Sequence, residues 1–469
     1  MPARPIPNPC NTEIPLPLQI LRNEPNQPHT GYVKSSSGPG SARYSLRKST
    51  ADRRKILKIS SDPRKLLKTN APPPPHPCRS LPIRPCHDKN FAFMTADTQE
   101  PAGVLPSQSL EKLIAAGAIR ARTPILPDQI QPSSLDLRLG VEAYRVRASF
   151  LAAGSATVTT KLDQYRLHTL DLSRPAVLEK GCVYIVPLQE ELALPPAISG
   201  KANPKSSTGR LDIFTRLITD EGRQFEIVPA GYKGRLYAEV VPRTFSVVVR
   251  EGDRLSQLRL FQGAHTPSDQ ILHQLQTEEA LIYLPDETRG EAAIQNGLRL
   301  SVDLEGIDGS PVIGYRARKH APLIDLAKLQ YYDPEDFWDP IRRNDSRTLI
   351  LDPEDFYILA SREKVRIPAQ YAAEMVPFDP TIGEFRIHYA GFFDPGFGYG
   401  SGEIHGTRAV LEVRSHEVPF ILEDGQVVAS LVFERLLERP RMLYGEGIGS
   451  SYQRQGLKLS KHFRTPAHV

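Results

Sequence analysis

Along residues 107–119, "SQSLEKLIAAGAI", apolar side chains recur at helical spacing behind Ser107 or Ser109 as candidate caps, and the pattern predicts a short amphipathic helix. Beyond it the texture changes. "SSLDLRLG", "CVYIVPL", "RLYAEVV" and "FSVVVREGDRLSQLRLF" are short β-rich runs divided by Pro and Gly. The second half repeats this texture in "TLILDPEDFYILA", "TRAVLEVRS" and "VPFILEDGQVVASLVFERL". Many short strands with few helical segments predict a mainly β chain, built as a sandwich or barrel rather than from alternating strands and helices.

The two halves also match each other. "VLEKGCVYIVPLQEELALPPA" resembles "ILDPEDFYILASREKVRIPAQ". The match pairs Tyr184 with Tyr357, Pro195 with Pro368, Glu239 with Glu412 and Gly252 with Gly425, each pair 173 residues apart. Four unlike landmarks on one offset predict two copies of one β-rich domain, near 120–263 and 300–436. The copies are not equivalent. In "KSSTGR" (205–210), Ser206, Ser207 and Arg210 fall on Asp379, Pro380 and Gly383 of the second copy. One copy reads as chemically equipped and the other as its partner.

Charge changes the picture once it is divided. The formal net charge of +5 hides a split: residues 1–93 hold 16 Lys/Arg against 5 Asp/Glu, and the remainder holds 43 against 49. Residues 1–93 also carry 17 of the 43 prolines and little apolar periodicity, which predicts a disordered tail. A second reading stays open, because Met94 opens "MTADTQEPAGVLPSQSLEKLIAAGAI" like an ordinary protein start and the preceding residues would then be an upstream extension. The acidic body offers no footprint for a nucleic-acid backbone. No apolar run approaches the ~20 residues of a membrane span, and no secretory signal layout opens the chain. Cys182 is the one cysteine beyond residue 93, which suits a reducing cytoplasm.

"KSSTGR" admits two readings. A polar turn is one. A phosphate-binding corner is the other: a lysine and an arginine, hydroxyl donors, and Gly209 to let backbone approach a ligand. Glu239 is likewise double. It sits among Leu236, Tyr237, Ala238, Val240 and Val241, either facing solvent on an alternating strand or held in apolar surroundings for proton transfer. Metal chemistry finds little support. The His-x-Glu and Pro-Cys-x-x-Cys of zinc nucleobase deaminases are absent, and Cys78, Cys86, His76 and His87 do not match zinc-site spacing. "GEGIGS" lacks the strand–turn–helix context of a dinucleotide loop, and neither a P-loop nor a serine-hydrolase elbow occurs.

Four stretches carry a resemblance to the dCTP deaminases of the dUTPase-like superfamily, in their long, internally duplicated bacterial form. "QPSSLDLRLG" (131–140) resembles the family's early strand motif, and "KSSTGR" its Arg-Ser-Ser-x-x-Arg loop with Lys205 in the leading basic place. "AGYKGRLYAEV" resembles the hairpin that ends in the catalytic glutamate, and "YGEGIGSSYQRQG" (444–456) the nucleotide-covering tail. The resemblance implies two dUTPase-like β-barrel (β-clip) domains in tandem, with a few short helices. The expected boundaries are 94–263 for the first domain, 264–299 for a linker, 300–440 for the second domain and 441–469 for the tail.

The implied activity is zinc-independent hydrolytic deamination of dCTP to dUTP and ammonia, feeding dUMP and dTTP synthesis. Glu239 would act as general acid/base, with Ser206 and Arg210 holding the attacking water. Lys205, Ser206, Ser207, Thr208, Gly209, Arg210, Tyr237, Ala238, Tyr444 and Gln455 would bind substrate, and Asp394 and Glu412 are second-copy candidates. No tightly bound cofactor and no zinc are implied; Mg²⁺ would accompany the triphosphate. A homo-oligomer with shared sites is expected, with neither nucleic acid nor membrane as partner.

The departures from the family pattern are local. The turn between loop and glutamate is long and altered in "RLITDEGRQFEIVPAGYKG", whereas the second copy's "YAGFFDPGFG" fits it better, and Ser451 stands where the family has a lysine. These departures predict a composite site, its loop from the first copy and its tail and Asp394 turn from the second, with Glu239 and Glu412 both open as the base. Two rival activities remain. One is dUTP diphosphatase, alone or combined with deamination, using Asp220 or Asp394 to orient water. The other is a non-catalytic deoxynucleotide-binding regulator.

Overall fold

The structure is a computed structural model that describes residues 102–154, 156–263, 268–377, 385–387, 391–399, 404–415, 417–446 and 452–465. Two units divide the chain, Met1–Ala92 and Phe93–Val469, and every described residue belongs to the second. The expected tail 1–93, the positions Asp379, Pro380 and Gly383, and Ser451 lie outside the described residues.

Helix α1 spans Ser107–Ala115, shorter than the 107–119 of its apolar pattern. Gly117 adopts a left-handed φ of 71° and stops it, so Ile119 enters a strand instead. Neither serine caps the helix. Pro106 occupies that place without a side-chain bond.

Seven main strands follow in the first half: β1 Glu142–Val146, β2 Arg166–Asp171, β3 Val183–Ala193, β4 Ile198–Pro204, β5 Ile213–Thr219, β6 Lys233–Pro242 and β7 Ser256–Gln262. Helix α2, Val158–Tyr165, lies between β1 and β2, and α3, Ser206–Gly209, between β4 and β5. After helix α4, Asp269–Glu278, the second half adds β8 Val312–Ala317, β9 Trp338–Arg342, β10 Phe356–Val365, β11 Tyr371–Pro377, β12 Phe385–Ile387, β13 Thr407–Ser415 and β14 Val427–Arg435. Antiparallel pairing orders one sheet β2-β1-β3-β6-β5, and the corresponding sheet of the second half β9-β8-β10-β13-β12. In a further sheet of each half β7 pairs with β4, and β14 with β11. Strand β11 starts and stops 173 residues after β4 (371 against 198, 377 against 204).

The stretch 264–299, expected as a linker, instead carries α4 and the strand Ile282–Tyr283. Leu272 and Leu275, one turn apart on α4, are buried with Leu281 and Ile282 in the core of the second half. That apolar spacing makes the stretch part of the packed body.

Strand alternation decides which side chains reach which core. On β6, Leu236, Ala238 and Val240 enter the first core, while Tyr237 and Glu239 take the opposite face. On β13, Ala409, Leu411 and Val413 enter the second core, while Val410 and Glu412 take the opposite face. The first core also collects Tyr315, Trp338, Phe356 and Ile358 from the second half. Phe245 meets Trp338 edge-to-face with 5.5 Å between centroids. Burying Trp338 removes on the order of 200 Å² from water, gross worth about 5 kcal/mol. Ion pairs cross the same seam: Lys201 to Glu374 at 2.6 Å, Arg259 to Glu434 at 2.8 Å, and Asp212 to Arg414.

Candidate active site

Strand β4 ends at Pro204 and the chain makes the single helical turn α3 before entering β5. The N–H groups of Thr208 and Gly209 donate to the Lys205 carbonyl at 2.8 and 3.0 Å, and that of Arg210 to the Ser206 carbonyl at 3.1 Å. Leu211 and Ile213 are fully buried and draw the exit into the first core. Asp212, at φ 54°, supplies the reversal. Apolar anchors thus hold a polar corner open toward one cavity of about 540 Å³, lined from both halves of the chain. That volume suits a nucleotide-sized ligand.

Glu412 of β13 faces the corner, 3 % exposed, and lines the cavity. Gly209 is the point of closest approach. A Cβ there would overlap both oxygens of the Glu412 carboxylate, so only a residue without a side chain lets the α3 backbone lie against that group. The cavity therefore joins a buried carboxylate of the second half to the hydroxyl-rich loop of the first.

Arg210 is clamped by the C-terminal segment. Its Nη2 donates to Gln455 Oε1 and its Nη1 to the Lys458 carbonyl, both at 2.8 Å. The guanidinium lies 3.8 Å from the Tyr452 ring centroid, and Gln455 Nε2 donates onward to the Arg408 carbonyl at 3.0 Å. Burial pushes the Arg210 pKa down, while Tyr452 and Glu412 oppose that shift. Its Nε–H is buried and has no partner among the described residues. Farther along, Ser460 Oγ donates to the Ser207 carbonyl at 2.8 Å. Tyr444 is fixed differently: its N–H donates to the Pro395 carbonyl at 2.8 Å. There Gly396, at φ 92°, leaves room for the backbone to pass. The same turn presents Asp394, which accepts from Ser133 Oγ at 2.6 Å and lies 4.0 Å from Arg259. Burial pushes its pKa up, opposed by Arg259 and the Ser133 hydroxyl.

Cations gather at another part of the cavity. Lys205 Nζ pairs with Asp136. Arg254 donates to both carboxylate oxygens of Asp128 at 3.0 Å and stands 3.8 Å from Asp136. Lys461 lines the cavity beside them. Asp136 belongs to the quoted stretch 131–140, but Arg254, Lys461, Tyr452 and His462 were not identified from the sequence. Tyr452 and Arg254 lie inside quoted stretches without being singled out, and Lys461 and His462 lie in the basic run "LKLSKHF".

Of the residues expected at the site, Lys205, Ser206, Ser207, Thr208, Arg210, Asp394, Glu412, Tyr444 and Gln455 line the cavity, with Gly209 against Glu412. Glu239, Tyr237 and Ala238 do not. Ala238 is buried in the first core. Tyr237 packs with Val146, Val158 and Leu162 beneath α2, its hydroxyl 3.5 Å from Thr159 Oγ1. Glu239 shares that face, opposite Arg216 in the β5–β6 register. Arg216 donates to Glu239 Oε1 through Nη2 at 2.5 Å and Nε at 3.0 Å, with its guanidinium 3.4 Å from the Phe225 ring centroid. Both bonds end on one oxygen; Oε2 is buried with no hydrogen-bond partner among the described residues, and Glu239 does not line the cavity. Asp220 is also elsewhere, accepting from the Val158 N–H at 2.7 Å at the start of α2. Among the described residues no three His, Cys, Asp or Glu side chains gather as metal ligands, and no helix is long and apolar enough to cross a membrane.

Residues 101–264 match the N-terminal domain of 2'-deoxycytidine 5'-triphosphate deaminase, and residues 268–463 its C-terminal domain. A dCTP deaminase of Pyrobaculum neutrophilum is 27% identical over 164 residues, covering 34% of this chain and 85% of the relative. A dUMP-forming dCTP deaminase of Acidothermus cellulolyticus is 26% identical over 160 residues, covering 34% and 80%. The crystal structure of 2'-deoxycytidine 5'-triphosphate deaminase from Agrobacterium tumefaciens is 50% identical with a TM-score of 0.68, covering 72% of this chain and 99% of that one. With a solved relative matched at this identity over nearly its whole length, and both domains of the family present in order, this chain belongs to the dCTP deaminase family.

Proposed function

We propose that the chain deaminates dCTP hydrolytically to dUTP and ammonia in the cavity between its halves, with Glu412 as general acid/base. The observation that carries this reading is the buried Glu412 carboxylate lying against the backbone of the Ser206–Arg210 loop. As water adds to C4 of cytosine, Glu412 takes one of its protons and passes it to N3. Glu412 then takes the remaining proton from the C4 hydroxyl and delivers it to the amino group, so the C4–N bond breaks, ammonia leaves and the C4 carbonyl forms. One hydrogen of the water ends on N3 and the other in ammonia, so the step balances without a metal ligand set. The unpartnered Nε–H of Arg210 and the Ser206 hydroxyl are the donors we assign to the attacking water. Lys205 and Arg254 would face the triphosphate, with Mg²⁺ arriving as part of the substrate.

The parallel strand orders and the 173-residue offset support reading the halves as tandem β-clip domains. Loop, tail, Asp394 turn and Glu412 belong to one chain, so the reading assigns a complete site to each chain, whatever assembly the chains form. Incubation with dCTP tests it directly. Equimolar ammonia and dUTP are expected. Pyrophosphate with dUMP would mean that phosphate-chain hydrolysis follows, and binding without turnover would make the protein a sensor.

A further inference from the structure

Two ends of the cavity differ in their electrostatics. The charged and phenolic groups acting on Arg210 are Tyr452, Glu412 and Tyr444. Those acting on Lys461 are Lys205, Asp136, Arg254 and Asp253. The first end holds the carboxylate assigned to proton transfer. The second gathers three cations, Lys205, Arg254 and Lys461, among three carboxylates, Asp128, Asp136 and Asp253. Their partners are unevenly shared: Lys205 has Asp136 and Arg254 has Asp128, whereas no carboxylate of the described residues makes an ion pair with Lys461.

Lys461 is nevertheless held in place. It is the half-buried residue between the buried Leu459, Ser460, His462 and Phe463. Its N–H donates to Tyr452 Oη at 3.3 Å, and its carbonyl accepts from the Gln330 N–H at 3.0 Å. His462 Nε2 meets the Leu326 carbonyl at 3.2 Å, and Phe463 packs against Phe337 and Trp338. A backbone pinned on both sides aims one lysine into the cavity. Burial and the neighbouring Lys205 both push its pKa down, so the protein bears a cost there that an anionic ligand would relieve.

We propose that Lys461 is a specificity-determining residue that engages the outer phosphates of the nucleotide, making the cavity select triphosphate over monophosphate. The proposal rests on the assignment of dCTP to this cavity and adds the residue that reads the length of its phosphate chain. Lys205 and Arg254, already paired with carboxylates, contribute less to that discrimination than the cation with no ion pair of its own.

The test compares Lys461→Met and Lys461→Arg with the unaltered protein, titrating dCTP and dCMP with Mg²⁺ by calorimetry. Lys461→Met should weaken dCTP binding about tenfold or more and dCMP binding less than about threefold, while Lys461→Arg stays within about threefold for both. The melting temperature of the free Lys461→Met protein should hold or rise, since a cation beside other cations is removed. Lys458→Met, altering a lysine on the same segment, should show no such selectivity. Equal losses for both nucleotides, no loss for dCTP, or selectivity at Lys458 instead of Lys461 would overturn the proposal. Tight, Lys461-dependent binding of dUTP without any binding of dCTP would leave the Lys461 role standing and remove the deaminase reading instead.

Discussion

Glutamate-to-glutamine exchange at two equivalent positions separates chemistry from architecture in this chain. Glu412→Gln keeps the shape beside Gly209 but removes the proton acceptor. General acid–base catalysis contributes about 10²- to 10⁴-fold, so kcat should fall by that factor, about 2.7–5.5 kcal/mol of barrier. Affinity for dCTP should change little, because the phosphate-facing cations are untouched. Glu239→Gln should leave kcat within about threefold, since Arg216 holds its Oε1 and the residue lines no part of the cavity. Its effect belongs to stability. Glu239→Ala strands the Arg216 guanidinium between Phe225 and Phe214 and should cost roughly 3 kcal/mol, at the low end for a broken buried pair because Arg216 keeps part of its side chain in water. Glu239→Gln should cost less, as the amide oxygen still accepts from Arg216. Ammonia release from dCTP and urea unfolding of the same preparations provide both readouts. Loss of turnover in Glu239→Gln at unchanged stability, with Glu412→Gln still active, would refute the assignment.

Three further outcomes follow from the geometry. Gly209→Ala would push a methyl group into both Glu412 oxygens, and displacing the carboxylate by about 1 Å should lower kcat about 100-fold, measured against an unchanged far-ultraviolet circular dichroism spectrum. Arg210→Ala and Gln455→Ala should each impair turnover, and mixing the two variants should restore nothing, because Arg210 and Gln455 meet within one chain; recovered activity in the mixture would show a site shared between chains. His462 is pushed down to about 4 by burial, with Lys461 adding to the shift. Its neutral form therefore favours the folded state: the stabilisation is present above the unfolded value near 6.5 and is lost as pH falls toward 4, up to about 3 kcal/mol. Urea midpoints between pH 4 and 7 should fall more steeply for the unaltered protein than for His462→Gln.

Local chemistry was the legible part of this site. Lys205 to Arg210 are consecutive, and the reason they form a corner, buried Leu211 and Ile213 after a polar turn, is written within nine residues. The 173-residue offset was legible for a similar reason, since it relates Tyr184 to Tyr357 and Glu239 to Glu412 in corresponding strands and Gly252 to Gly425, both at left-handed φ, in turns. Long-range pairing was not. Asp136 lies 69 residues from its partner Lys205, and Lys461 reaches the cavity only because Leu459 and Phe463 bury themselves in the first core. Helix α1 ended early because Gly117 outweighed the apolar pattern that runs past it. The expected linker was misjudged on its polar residues, with Leu272 and Leu275 too few to announce a buried helix face.

The proposed choice of Glu412 over Glu239 rests on surroundings that a motif alone does not carry. Both lie on the face of their strand that points away from its own core, as alternation requires. What differs is the cover. Beside Glu239 comes Arg216, directly opposite on β5 and itself backed by the Phe225 ring, while α2 and its surroundings pack the adjoining Tyr237. Over Glu412 comes the α3 loop of the other half, stopped by Gly209 at contact distance with space left beside it. The carboxylates are equivalent as sequence and differently placed: Arg216 holds one oxygen of Glu239 away from the cavity, and Glu412 borders a ligand-sized space. The altered turn "TDEGRQFE" supplies Phe225, whose ring lies against the Arg216 guanidinium that pairs with Glu239. On the proposed reading the halves divide the labour, the first supplying the loop and the second the base, in keeping with the serines missing from the second half's loop and the Arg216 pair at Glu239.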